Sequence, residues 1–278
     1  MAVPETVKRW WRDFWGAVAD VEVESQREQQ ARDPRRLDWS VVGVVLLGCV
    51  CLSILEYYGS SGDYKVLQPL VGLFVDDPKA WMREVFRRGD RQELFRLAYW
   101  SAATFIFYFL VPAIFVKAVL REKLSDYGLR LKGTLKHAWV YVAMFVIVMP
   151  FVVAVAFTEP FQRTYPFYNN AHASITDFLA WEVLYMLQFF SLEFFFRGFL
   201  IHGTRARFGY YAILLSVVPY CMIHFGKPLP ETIGAIVAGL ALGTISMFTR
   251  SICLGVAIHV SVALSMDFLS LLIQGKLF

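Results

Sequence analysis

The stretch that decides the fold is Ser191-Leu-Glu193-Phe-Phe-Phe-Arg197-Gly-Phe-Leu200, in which two opposite charges lie inside an apolar run. A spacing of four residues places Glu193 and Arg197 on the same face of a helix. A charged side chain at bilayer depth costs about 2.5–3.5 kcal/mol on insertion scales, so it needs a partner and commonly has a function. The stretch therefore indicates a membrane helix that carries either a functional pair or a structural ion pair.

The composition of the whole chain agrees with a membrane setting. Of its 278 residues, 57% are hydrophobic and 18% are charged, and the mean hydropathy is +0.50. These values lie outside the usage of ordinary globular domains. A net charge of +4 is too small to indicate nucleic acid as a partner. The four cysteines lie in apolar segments without zinc-site spacing, so they indicate no disulfide framework.

Hydropathy predicts an all-α, polytopic transmembrane bundle of about seven spans with N-terminal amphipathic helices. A bilayer core requires about 20 apolar residues, and suitable runs occur at 39–57, 94–120, 137–157, 177–203, 210–225, 231–248 and 252–273. Three regions follow from this pattern. They are a cytoplasmic amphipathic segment (1–38), two spans joined by a loop with an interfacial helix (39–120), and a membrane core (121–278).

The N-terminal segment is polar and charged, which predicts that no cleavable signal peptide is present. Its apolar residues recur at helical spacing and predict an amphipathic helix: Val7, Trp10, Trp11, Phe14, Trp15 and Val18. This pattern fits a helix on the lipid surface and a helix packed on the protein's own body equally well.

The distribution of basic residues predicts the orientation in the membrane. Six cations crowd residues 117–136, whereas Arg163 is the single Lys or Arg of residues 158–176. The positive-inside rule therefore places the basic loop, and with it the N-terminus, in the cytoplasm. We expect an integral protein of a bacterial inner membrane.

Three ionisable residues fall on three of the predicted core helices: Glu193, His224 and His259. In a bundle interior they could activate a water molecule or hold zinc, since two histidines and a carboxylate with one open position form a known catalytic zinc set. Each histidine could equally serve as a hydrogen-bonding group between helices.

Three further carboxylates have plainer interpretations. Glu182 is predicted to be interfacial, and Asp267 to lie near the outer end of its helix or to pair with a neighbour. Glu231 follows two prolines, and the helix dipole favours a carboxylate in the first turn.

The motifs resemble those of the CPBP (Abi, CAAX-protease-like) intramembrane endopeptidases. Glu193-Phe-Phe-Phe-Arg197-Gly resembles the first motif, which usually has two glutamates, three residues and an arginine. Tyr220-Cys-Met-Ile-His224 is similar to the second motif, and His259 matches the histidine of the third. Leu124-Ser-Asp-Tyr-Gly-Leu129 resembles a recurrent element that precedes the core. The resemblance covers about residues 120–275, and its specificity rests on the order of the motifs.

This resemblance implies hydrolysis of a peptide bond in a membrane-anchored or lipid-modified protein. Glu193 and His224 would activate water, Arg197 would orient the carboxylate, and His259 would stabilise the oxyanion. The family is often called metalloprotease, while a metal-free glutamate mechanism is also argued, so the resemblance is compatible with zinc and with its absence.

Two positions depart from the family pattern. Leu192 stands where the first glutamate is usual, and Ala263 stands where the third motif normally has a polar residue. Glu193 could then serve as the only base, with Glu231 or Asp267 as a second carboxylate. The alternative is a catalytically inactive membrane scaffold or immunity protein. Because Glu193, His224 and His259 are all present, the peptidase is the leading prediction.

Overall fold

The computed structural model describes residues 5–31, 33, 35–132 and 134–277. Its regular structure is helical, and no strand occurs in these ranges. The longer helices are α1 (Glu5–Ala31), α2 (Trp39–Tyr58), α3 (Gln92–Leu120), α4 (Leu135–Ala156), α5 (Ile175–Phe208), α6 (Tyr211–Met222), α7 (Leu229–Thr249) and α8 (Cys253–Ile273). Short helical segments lie between them, at Asp63–Leu67, Gln68–Val71, Pro78–Arg83, Glu84–Arg88, Leu124–Tyr127, Glu159–Thr164 and Ala171–Ala173.

Six of the labelled helices, all except α1 and α6, are long and apolar enough to cross a membrane. The protein is therefore an integral membrane protein with a polytopic helical bundle, as the hydropathy predicts. The bounds of these six helices follow the predicted spans closely.

Helix α6 is shorter than the span predicted at 210–225. It has 12 residues and ends at Met222, although the sequence remains apolar to Phe225. The chain leaves the helix through a tight turn, in which His224 N–H donates to the Cys221 carbonyl at 3.0 Å, and Gly226 then adopts a φ of +88°. His224 consequently lies in a turn after the helix and not within a span.

Two of the membrane helices contain stretches of the wider π-helical form. These are Ile106–Leu110 and Phe115–Leu120 in α3, and Phe194–His202 in α5. The stretch in α5 has nine residues and begins directly after Glu193. π-Helical turns occur frequently at functional sites, so this part of α5 is a candidate for the functional site.

The helix predicted in the loop between α2 and α3 is present, and an aspartate caps its N-terminus. Asp77 Oδ1 accepts a hydrogen bond from Ala80 N at 2.9 Å, and Pro78 occupies the first turn. Tyr64, Met82 and Phe86 form the buried apolar cluster of this loop.

The chain forms two compact units. The first comprises the segments Met1–Gly48, Ala113–His137 and Glu193–Gly255, and contains Arg197 and His224. The second comprises Cys49–Pro112, Ala138–Leu192 and Val256–Phe278, and contains His259. Buried apolar clusters occur in both: Val21, Ile201, Ala212, Ile213, Val217 and Met247 in the first unit, and Leu97, Tyr168, Ala171, Trp181, Tyr185, Ala263 and Leu271 in the second.

The second half of α1 packs on the body of the first unit. Val21 and Ser25 are buried, and Gln29 Nε2 donates to the Arg207 carbonyl at 2.7 Å. An ion pair joins Arg250 Nη2 to Glu24 Oε2 at 3.0 Å. These contacts lie after the predicted amphipathic stretch of residues 7–18, so they do not decide between its two interpretations.

The first half of α1 presents large aromatic side chains to its surroundings. Trp11 and Trp15 are 48% and 59% exposed, and their ring centroids are 6.4 Å apart. The predicted contributions of Val7, Trp10 and Phe14 lie outside the described side chains. A position of this half on the lipid surface stays a prediction.

Candidate functional site

The ion pair predicted from the four-residue spacing is present in the first unit. Arg197 Nε lies 3.5 Å from Glu193 Oε1, and the two side chains are 1% and 0% exposed. The Arg197 guanidinium also lies over the ring of Tyr220, with Cζ 3.9 Å from the ring centroid. A planar guanidinium suits both contacts, because its charge pairs with the carboxylate while its face stacks on the aromatic ring.

Glu193 fits its position because a glycine stands opposite its carboxylate. A Cβ atom on Gly255, at the start of α8, would lie 2.7 Å from Glu193 Oε2. Real Cβ atoms essentially never approach a heavy atom so closely. Gly255 therefore makes room for the carboxylate, a role that no motif spacing in the sequence indicates.

The second motif continues the chain of contacts. His224 Nδ1 lies 2.8 Å from the Tyr220 carbonyl oxygen, and the rings of the two residues are 4.9 Å apart. A carbonyl oxygen only accepts, so Nδ1 carries the proton and Nε2 is the nitrogen that can accept one. The His224 carbonyl in turn accepts a hydrogen bond from Thr232 Oγ1 at 2.9 Å, which ties the turn to the start of α7.

Close helix contacts hold α6 beside the π-helical stretch. Ser216 Oγ donates to the Phe196 carbonyl at 2.9 Å. On the other side, Gly239 of α7 brings its backbone to α6, since a Cβ there would lie 3.1 Å from Val217 and 3.2 Å from Tyr220. Small residues such as Gly239 allow this close approach of two membrane helices.

The recurrent element at residues 124–129 connects α8 with the first motif. The Gly128 carbonyl accepts a hydrogen bond from Ile252 N at 3.0 Å, and the Arg130 carbonyl accepts one from Ser251 Oγ at 2.8 Å. Gly128 has a φ of +85°, a conformation that L-residues rarely adopt. The loop thus holds the chain just before α8 begins.

Tyr127 attaches the same loop to the π-helical stretch. Its ring stacks on Phe199 with centroids 6.4 Å apart, and its hydroxyl donates to Glu122 Oε2 at 2.6 Å. Burial, followed by the hydrogen bond to Glu122, raises the pKa of Tyr127 above its usual range. The phenol therefore remains a neutral donor.

His259 and Ala263 lie on α8 within the second unit. The His259 ring is half-buried and stacks on Phe189 at 5.1 Å with an interplanar angle of 19°. Ala263 is 4% exposed and belongs to the apolar cluster of Trp181 and Tyr185. The position where the family normally has a polar residue is thus filled by apolar packing in this chain.

The structure corrects one expectation for the remaining carboxylates and confirms two. Glu182 is 2% exposed and therefore buried, not interfacial. Asp267 has the predicted neighbour, since Trp181 Nε1–H donates to its Oδ2 at 2.7 Å. Glu231 lies in the first turn of α7, where Lys227 Nζ donates to its Oε1 at 2.6 Å.

Within the described ranges, no group of three or more His, Cys, Asp or Glu residues could hold a metal ion. The zinc set of Glu193, His224 and His259 includes a residue of each unit, so it stays a prediction from the sequence.

Fold and site together define a membrane protein that buries a carboxylate–guanidinium pair against Tyr220, whose ring also contacts His224. Residues 174–265 match the family model described as Type II CAAX prenyl endopeptidase Rce1-like. This segment contains Glu193, Arg197, His224 and His259, the residues on which the motif resemblance rests. This segment of the chain is thus similar to the CAAX-protease-like family. No curated protein and no solved structure matches the chain.

Proposed function

We propose that the protein is an intramembrane endopeptidase that hydrolyses a peptide bond in a membrane-anchored or lipid-modified protein. The observation that carries the proposal is the unbroken series of contacts from Glu193 through Arg197 and Tyr220 to His224. The family match to Rce1-like prenyl endopeptidases supports the same class of reaction. We further propose a bacterial inner membrane location with a cytoplasmic N-terminus, on the basis of the basic loop at 117–136.

In the proposed reaction, Glu193 takes a proton from water while His224 Nε2 accepts a hydrogen bond from the same molecule. The water oxygen attacks the peptide carbonyl carbon, and the new C–O bond forms as the carbonyl oxygen becomes negatively charged. The C–N bond then breaks, and Glu193 returns its proton to the leaving amine. Arg197 holds the carboxylate in place throughout.

His259 is proposed to stabilise the oxyanion, as the family resemblance implies. One oxyanion donor typically contributes a factor of about 10²–10³ in rate. By the motif resemblance, Ala263 leaves the oxyanion site with one hydrogen-bond donor fewer than the family pattern has. We therefore expect slower peptide hydrolysis, and the loss of this one donor does not by itself predict an inactive protein.

The test is cleavage of membrane-anchored peptides, with and without a prenyl group, by the full chain reconstituted in lipid. Glu193→Gln and His224→Gln should each abolish cleavage, because each removes a group that handles the water. Glu159→Gln is the matched control: it alters an exposed carboxylate paired with Arg163 and should leave cleavage unchanged. Cleavage that survives in Glu193→Gln would refute the proposed base.

The second candidate function is an inactive membrane scaffold or immunity protein, and the observation that favours it is Leu192 in place of the usual first glutamate. Leu192→Glu separates the two functions. Cleavage by both the natural protein and this variant supports the peptidase. Cleavage by the variant alone identifies the natural protein as silent.

A further inference from the structure

The loop between α2 and α3 presents large apolar side chains to its surroundings and takes no part in the proposed reaction. Phe74 is 81% exposed, Leu73 is 74% exposed, and Leu70 is also exposed. We call these three residues the apolar tip. Neighbouring exposed apolar side chains of this size commonly mark a surface that contacts a membrane or another protein.

The backbone of the apolar tip forms a closed turn after the short helix Gln68–Val71. The N–H groups of Gly72, Leu73, Phe74 and Val75 donate to carbonyl oxygens of that helix at 3.0–3.1 Å. Lipid offers no hydrogen-bonding partner, so backbone groups that enter it must be satisfied within the protein. This turn satisfies four successive N–H groups itself, which suits a segment that enters lipid.

The other side of the loop packs on α3. Tyr64, Met82 and Phe86 are buried, and the rings of Tyr64 and Phe86 stack with centroids 4.5 Å apart. Val71, next to the tip, and Tyr99 of α3 both pack against this cluster. Tyr99 lies seven residues after the start of α3, which is about 10 Å along the helix axis. The loop therefore lies beside the first turns of a membrane helix and does not extend away from it.

The end of α2 marks the level of the membrane surface. The Tyr99 hydroxyl donates to the carbonyl of Tyr58, the last residue of α2. Tyr57 and Tyr58 are both exposed, and tyrosine is enriched at the two interfaces of a bilayer. The loop thus begins at the level of the lipid headgroups and adjoins the lipid-exposed end of a span.

Basic residues follow the apolar tip. A Cβ atom on Gly72 would lie 3.6 Å from Pro78 Cγ, so the tip adjoins the start of the helical segment Pro78–Arg88. This segment has four exposed cations and one exposed carboxylate: Lys79, Arg83, Arg87 and Arg88 against Glu84. The carboxylates Asp76 and Asp77 precede it, and Asp77 caps its first turn. Cations beside exposed apolar residues favour a surface of anionic lipid.

We propose that the apolar tip inserts into the headgroup–acyl boundary of a leaflet that contains anionic phospholipid, while the cations of Pro78–Arg88 contact the phosphate groups. The inserted loop anchors the start of α3 at the membrane surface. This inference goes beyond the proposed hydrolysis and does not depend on it.

The experiment places an environment-sensitive fluorescent amino acid at position 74 of the full chain, in phosphatidylcholine vesicles with and without phosphatidylglycerol. The label should emit at a shorter wavelength than in water, and nitroxide-bearing lipids should quench it more than aqueous iodide does. The same label in place of Glu84 is the matched control. It should show the reverse order of quenching, because that position carries a charge and is exposed on the same loop.

The lipid partner is tested by charge. Phosphatidylglycerol should increase lipid quenching at position 74, and the combined change Arg87→Glu and Arg88→Glu should remove this increase. Equal lipid quenching in the two kinds of vesicle would overturn the assignment to anionic phospholipid.

A label in place of Leu73 covers the case in which the protein labelled at position 74 does not fold, and it should give the same result. Iodide quenching at position 74 or 73 equal to that at position 84 would overturn the insertion. A label shielded from iodide in native membranes but not in pure lipid would also overturn the proposal, because the tip would then contact a protein.

Discussion

Replacement of Gly255 by alanine tests how tightly the site holds its carboxylate. The new Cβ would lie 2.7 Å from Glu193 Oε2, whereas ordinary contacts begin at 3.4 Å, so the two atoms must separate by about 0.7 Å. Glu193 is 0% exposed and paired with Arg197, which leaves little space for this movement. Overpacking of this kind costs about 1–3 kcal/mol, and a misplacement of about 1 Å can lower a rate about 10²-fold.

The assay combines thermal unfolding in lipid with cleavage of the peptides described above. Gly255→Ala should lower the unfolding midpoint and reduce cleavage by one to two orders of magnitude, in keeping with a displaced catalytic group. Gly234→Ala in α7 is the matched control, because nothing lies within 4 Å of its Cβ position. Alanine there should preserve or raise stability, since glycine is the weaker helix former by about 1 kcal/mol.

The result that would refute the reasoning is a Gly255→Ala protein with unchanged stability and unchanged cleavage. Such a result would mean that α8 does not approach Glu193 as described. Lower stability with full cleavage activity would support the close packing of Gly255 against Glu193 and would contradict the role of Glu193 as the base.

Three more outcomes are expected. Tyr220→Leu removes the ring under the Arg197 guanidinium and should cost about 0.5–2 kcal/mol, whereas Tyr220→Phe keeps the ring and should lower the unfolding midpoint less than Tyr220→Leu. Gly128→Ala should lower the free energy of unfolding by at least about 1 kcal/mol more than Gly226→Ala. Both glycines have a positive φ, but only at Gly128 would the new Cβ lie 2.8 Å from a side chain. Equal unfolding midpoints of the two variants would contradict this expectation. Ser216→Ala removes the hydroxyl that donates to the π-helical stretch and should lower the free energy of unfolding by about 1 kcal/mol. An unchanged unfolding midpoint would show that this hydrogen bond does not contribute to stability.

Local patterns in the sequence were enough to predict part of the site. The pairing of Glu193 with Arg197 follows from a spacing of four residues. The structure confirms it at 3.5 Å, even though Arg197 lies in the π-helical stretch that begins after Glu193. The six long spans follow from hydropathy, because the lipid phase requires long apolar helices.

Features that depend on neighbouring helices could not be predicted. Glu182 is buried although the sequence places it near the end of a predicted span, because its burial depends on neighbouring elements that hydropathy does not detect. The role of Gly255 likewise depends on the approach of α8 to a side chain on α5. Helix α6 was predicted too long because hydropathy does not detect the turn that ends it at Met222.

The burial of the Glu193–Arg197 pair has a consequence for reading the evolution of such proteins. Removal of one member would leave an uncompensated charge in the interior, at a typical cost of about 3–5 kcal/mol. A lineage that abandoned catalysis would still be selected to retain both residues, because folding alone requires the pair. Persistence of these two residues among relatives is therefore poor evidence of activity, and a loss of function would show first at other positions.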